Sequence, residues 1–139
     1  MNIVIDANIL IAALLRDSKM RELLVNSPYK LLVPEVHFQE IEEHKEELLE
    51  KSGLSEEEFE TLISKLSSYF SIVKSNRILP FLSEAEEIIG KIDKDDVPVI
   101  ATALAYGCSI WSDDKHFQQQ KKIKIWKTED IIKTIRNSD

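Results

Sequence analysis

The pattern that most constrains this chain is a repeated alternation of short apolar runs with helix-patterned segments. Ile3-Val4-Ile5 is apolar throughout, and Lys30–Val33, Ser71–Lys74, Cys108–Ser112 and Ile123–Trp126 repeat the theme. A strand with one wet face alternates apolar and polar residues. An unbroken apolar run needs cover on both faces, as in a parallel sheet between helical layers. Parallel neighbours also need long crossovers, and the intervening segments can each carry a helix. The alternation therefore predicts an α/β fold of three layers: a mostly parallel central sheet of about five strands with helices on both faces.

The helices are bounded by local signals. Asn8 can cap a helix through Leu15, and a second helix spans Met20–Asn26, before Pro28. Pro34 opens a long helix running to about Lys51, which Gly53 ends. Ser55 with Glu58 forms a capping box for Glu56–Tyr69, and Ser83 with Glu86 forms another for a helix to about Ile92. Val97–Tyr106 is opened by Pro98 and closed by Gly107, and Thr128 caps a final helix through Arg136. Glu40 to Glu60 reads as a solvated helical hairpin protruding from the sheet layer. Its packed face is Leu48, Leu49, Leu54, Phe59, Leu62, Ile63 and Leu66.

A length of 139 residues fits one domain, residues 1–139. The net charge of −7 lacks the basic footprint of a non-specific nucleic-acid coat protein. A nuclease remains compatible, because a bound metal inverts the local charge. The single cysteine, Cys108, lies in an apolar run and reads as a small buried hydrophobe, so a cytoplasmic setting is expected. Met1–Leu15 lacks a basic leader region and carries Asp6 and Asn8 within its apolar stretch, so it reads as strand then helix.

Four acids far apart in sequence fall where such a fold gathers chain ends: Asp6, Glu40, Asp96 and Asp114. Clustered carboxylates repel one another unless neutralised, and a hard divalent cation with oxygen ligands is the usual neutraliser. Asp6 directly follows the first strand, at the carboxyl edge where open α/β sheets bind ligands. Its alternative reading is a helix cap, a task Asn8 already offers to fill. Glu40 borders the apolar stripe marked by Val36 and Ile41, with Glu43 one turn on, among many solvated glutamates of the same helix. Asp93, Asp95 and Asp96 precede a wholly apolar helix, more carboxylates than capping needs. Asp96 is the first choice there, with Asp93 or Asp95 as helper. Asp113 and Asp114 follow the fourth strand, and one of them can be a simple turn residue. Ser112 offers a hydroxyl to a carboxylate or to water. His37 and His44 lack HExxH spacing, which argues against zinc. His116 reads as a surface or substrate-contacting residue. With three glycines, no Gly-rich phosphate loop is available.

Four segments together resemble the PIN domain, the nuclease fold of VapC-type toxins: IVIDANIL, PEVHFQEIEEH, DKDDVPVIATAL and WSDDKHF. On that resemblance Asp6, Glu40, Asp96 and Asp114 fall at the four acidic positions, Asn8 at the small polar position after the first acid, and Ser112 at the hydroxyl position. The resemblance implies Mg²⁺- or Mn²⁺-dependent endonucleolytic hydrolysis of RNA, with single-stranded RNA the expected substrate. Asp6, Asp96 and Asp114 would hold the metal, and Glu40 would complete the set or orient the attacking water. It also implies a toxin role, a small antitoxin partner and a homodimer. Asn8, Glu43, Asp93, Asp95, Ser112 and Asp113 are secondary candidates, the surplus aspartates departing from the family pattern. Arg16, Lys19, Arg21, Lys115, Lys121 and Lys122 are candidates for phosphate contacts. The alternative is a PIN-like module that binds RNA or protein without cleaving. A receiver-type phosphoacceptor fits worse, because the third strand ends in Lys74-Ser75-Asn76. A phosphatase of the haloacid-dehalogenase type would want an aspartate where Asn8 stands.

Overall fold

A computed structural model describes residues 1–15 and 18–137. Five strands form one sheet: β1 Asn2–Ile5, β2 Lys30–Pro34, β3 Phe70–Val73, β4 Ser109–Trp111 and β5 Ile125–Trp126. Their order is β3-β2-β1-β4-β5, and every neighbouring pair is parallel.

Side-chain alternation sorts the strands between two cores. Ile3, Ile5, Leu31, Val33 and Trp111 face one cluster, and Val4, Leu32 and Ile110 face the other. Both faces are thus covered, which is why Ile3, Val4 and Ile5 of β1 are all apolar and buried. The first cluster is completed by α1 (Ala7–Leu14), α2 (Ser18–Val25), α3 (Glu35–Glu43), α4 (Lys45–Ser52), α5 (Glu56–Ser67) and, from the chain end, Ile131. Against the second pack α6 (Ser75–Ile78), α7 (Leu82–Ile89), α8 (Val97–Tyr106) and Phe117 of α9 (Lys115–Gln118). Ile131 belongs to α10 (Thr128–Asn137). The expected packed face of the α4–α5 hairpin is present: Leu48, Phe59 and Leu66 are buried, and the other four are half-buried against the core.

Strand order creates the site. From β1 the chain moves to β2 and β3 on one side, then crosses through α6–α8 to β4 on the other. The direction reverses between β1 and β4, and such a switch point leaves a crevice at the strands' carboxyl ends. Ile5 pairs with Trp111 in register, so Asp6 and Ser112 emerge side by side.

Several local readings need correction. The α1 N-cap is Asp6, and Asn8 lies exposed in the first turn, because the helix begins at Ala7 without a loop. The long helix after Pro34 breaks at His44, whose φ of −104° and ψ of 16° separate α3 from α4. His37, Ile41, Leu48 and Ser52 stay buried across the break in helical phase, so periodicity read one helix. The Ser83–Glu86 capping box does not form. A 3₁₀ turn, Leu79–Phe81, runs directly into α7 and places Ser83 inside its first turn. Thr128 does not act as a capping acceptor; its N–H and hydroxyl both donate to Asp113. The Ser55–Glu58 box is present, and Gly53 and Gly107 close their helices in the left-handed region at φ 70° and 59°.

Candidate active site

Asp6 leaves the end of β1 with its side chain almost wholly buried, at 4% exposure. Its backbone N–H donates to the Trp111 carbonyl at 3.1 Å, continuing the β1–β4 ladder by one residue. The buried Ser112 hydroxyl donates to Asp6 Oδ2 at 2.8 Å and accepts the Asp114 N–H at 3.0 Å. One hydroxyl thus ties the Asp6 carboxylate to the backbone that carries Asp114. Burial raises the Asp6 carboxyl above its usual range. The Ser112 bond opposes the rise, the Asp114 charge adds to it, and the amides opening α1 oppose it weakly.

Asp96 arrives from the opposite layer. Asp93 accepts the Asp95 N–H at 2.9 Å and starts a 3₁₀ turn, Lys94–Asp96, which leads straight into buried α8. That turn presses Asp96 into the crevice, and its Oδ2 is buried without a hydrogen-bond partner. Burial first, then the Asp93, Asp6 and Asp114 carboxylates, push Asp96 up to about 7, with His116 opposing. Asp114 stands half-buried beside it and caps α9 by accepting the His116 N–H at 2.9 Å.

The other candidates separate. Glu40 is half-buried, and its carboxyl is raised by burial and then by the charges of Asp95, Glu43 and, more weakly, Asp6, with His44 opposing. It therefore senses the same acidic centre from α3. Glu43 and Asp95 are exposed. Asp113 spends both carboxylate oxygens on Thr128, tying α10 to the end of β4. Trp111 Nε1 donates to the same hydroxyl at 3.1 Å. His37 is buried and held neutral by that burial, its pKa lowered to about 4, whereas His44 is exposed.

Among the basic residues, Arg21 donates to the Ala13 and Leu15 carbonyls at 2.5 and 3.0 Å, fastening the end of α1. That duty takes it away from phosphate contact. Lys19, Lys115, Lys121 and Lys122 are exposed, and Arg16 lies outside the described residues. His116 is better placed than its sequence reading suggested. Its Nδ1 is 3.2 Å from Asp93, 3.5 Å from Asp114 and 3.6 Å from Asp96. The available signal was its position two residues after a capping aspartate, where a one-turn helix swings the ring back over the cap.

A family profile described as the PIN domain matches residues 4–135. The chain belongs to the PIN-domain family. The PIN fold also recurs in solved structures of low sequence identity. A chain in the crystal structure of VapBC2 from Rickettsia felis, bound to a DNA fragment from their promoter, superposes with a TM-score of 0.69 at 15% identity. That alignment covers 91% of this PIN domain and 98% of the other chain. A chain of a toxin–antitoxin complex from Klebsiella pneumoniae gives a TM-score of 0.61 at 17% identity, covering 82% and 88%. No curated protein sequence matches.

The donor set suits a hard divalent cation. Carboxylate oxygens gather here, one of them buried without a hydrogen-bond partner, and two of the acids are driven upward by burial first and by one another's charge second.

Proposed function

We propose that this protein is a Mg²⁺- or Mn²⁺-dependent endoribonuclease and acts as the toxin of a toxin–antitoxin pair. The observation that carries the reading is the acidic grouping in which Ser112 links the Asp6 carboxylate to the Asp114 backbone and both acids act electrostatically on Asp96, whose inner oxygen has no hydrogen-bond partner. Asp6, Asp96 and Asp114 would hold the cation. When bound, it would supply Lewis acidity, activating water and neutralising charge on the scissile phosphate.

The protein's own residues do the rest. Ser112 fixes the Asp6 carboxylate and the Asp114 backbone in one rigid arrangement. Glu40, raised by burial first and then by its acidic neighbours, is half-buried at the rim, where it can take a proton from an attacking water. No nucleophilic serine or cysteine is required, so hydrolysis proceeds by direct displacement. Single-stranded RNA is the favoured substrate, since a splayed strand can lay one phosphate into an open crevice. An antitoxin partner is supported by the toxin–antitoxin complexes in which the similar folds were solved, and a homodimer is part of the reading that the resemblance to VapC-type toxins suggests.

The test is cleavage of single-stranded RNA with Mn²⁺ and with excess chelator. Wild-type protein should cut only with metal, and Asp6→Asn should be inactive with an unchanged circular dichroism spectrum. An Asp6→Asn protein that cuts as well as wild type refutes the assignment. RNA binding without cleavage at saturating metal would favour the non-catalytic module instead.

A further inference from the structure

Among the described residues, the acidic centre contains one nitrogen donor, His116. The His116 ring is held in place by its own backbone, because its N–H caps onto Asp114 Oδ1 and its carbonyl accepts the Gln119 N–H. Nδ1 is thereby brought within 3.2 Å of Asp93 Oδ2 and 3.6 Å of Asp96 Oδ2. Neither approach is a hydrogen bond: Nδ1 and Asp96 Oδ2 are both buried without a hydrogen-bond partner, and they face each other only at ion-pair distance. The Asp96 side chain is 9% exposed and aims this orphan oxygen at the ring. Asp93 Oδ1 is occupied by the Asp95 amide, which leaves Oδ2 facing the same point. Unpaired buried polar atoms cost about 1–3 kcal/mol each, so two facing one another call for a shared third body.

The separations indicate what that body is. Two donor atoms each about 2.1 Å from a metal lie about 3.0 Å apart at a right angle and about 3.4 Å apart in a tetrahedron. One donor atom from each of Asp93, Asp96 and His116 lies within 4.8 Å of the others, close enough for one ion to draw them in. Mg²⁺ prefers an all-oxygen shell, whereas imidazole favours the first-row transition metals. We propose that His116 is a metal ligand, forming with Asp93 and Asp96 a mixed nitrogen–oxygen site that takes a divalent transition-metal cation in preference to Mg²⁺. This rests on the nuclease reading above, with which it shares Asp96, and adds to it the identity of the cation class.

The experiment loads the metal-free full chain with Mn²⁺ and records pulsed electron paramagnetic resonance. Wild type should show ¹⁴N modulation from a coordinated imidazole, retained in His44→Gln and lost in His116→Gln. Displacing half of the Mn²⁺ should need at least about a tenfold excess of Mg²⁺ in wild type and close to parity in His116→Gln, the scale of affinity change seen when metal-site partners are removed. Bound Mn²⁺ without nitrogen modulation overturns the proposal. So does unchanged or tighter Mn²⁺ binding by His116→Gln, which would make the ring a protonated counter-ion to the acids. If Mn²⁺ binds without nitrogen and Asp6→Asn abolishes that binding, only this inference fails. If neither Mn²⁺ nor Mg²⁺ binds wild type, the nuclease reading fails with it.

Discussion

Replacing Asp96 with asparagine should destroy activity and yet stabilise the metal-free protein. Burial and three neighbouring carboxylates raise Asp96 from 3.8 to about 7 in the folded state. Each tenfold change in proton affinity is worth about 1.4 kcal/mol, so holding this side chain ionised costs the fold at most about 4 kcal/mol. The direction follows from linkage. The folded state binds the proton more tightly than the unfolded chain, so stability is full below about pH 4 and declines as pH rises through about 7. Asparagine does not ionise and escapes that decline. With His116 and solvent at the mouth sharing the load, a net gain of about 1–3 kcal/mol is expected near pH 8, several degrees in Tm for a chain of this size. The assay is thermal unfolding followed by circular dichroism, in chelator, from acid to mildly alkaline pH. The two proteins should converge below about pH 4, separate between about pH 4 and 7, and keep a constant gap above that. Saturating Mn²⁺ should then raise wild type by about 2.7 kcal/mol at one hundred times Kd, with a much smaller effect on the variant. An Asp96→Asn protein less stable than wild type in chelator at pH 8, or a gap that ignores pH, would refute the reasoning.

Ser112→Ala removes the hydroxyl between Asp6 and the Asp114 amide; it should cost about 2 kcal/mol in chemical denaturation and weaken Mn²⁺ binding at least about tenfold. Asp113→Ala frees Thr128 at the start of α10, so Tm should fall while calorimetric Mn²⁺ affinity stays at the wild-type value. Gly107→Ala places a Cβ in open space at φ 59°, so the loss in urea denaturation should be the backbone cost alone, about 1 kcal/mol.

What could be read from the chain follows from which forces are local. The strands were legible because burial on both faces leaves an unbroken apolar signature at Ile3-Val4-Ile5 and Leu31-Leu32-Val33, and α8 because Asp96, Pro98 and Gly107 punctuate it. The pairing of β1 with β4 was not legible, since strand order is set by long-range packing. Yet that pairing places Ser112 against Asp6. Likewise nothing local separated Asp113 from Asp114; the structure does so by giving Asp113 to Thr128, a contact fifteen residues away. Glu40 was hidden among the other glutamates of its segment, which solvent tolerates equally well; the resemblance to the PIN domain singled it out, and its half-burial and coupling to Asp95 and Asp6 distinguish it in the fold. α9 was missed because one turn is too short for periodicity, and with it went the position of His116. The break at His44 was invisible because the buried stripe keeps its phase.

The most direct test of the central claim is a crystal structure of the wild-type protein soaked in Mn²⁺, with anomalous scattering used to locate the ion. The expected result is a peak on Asp96 within the cluster of Asp6, Asp93, Asp96, Asp114 and His116, at the carboxyl edge between β1 and β4. A peak elsewhere, or none at saturating metal, would contradict the reading of this crevice as a metal-dependent nuclease centre.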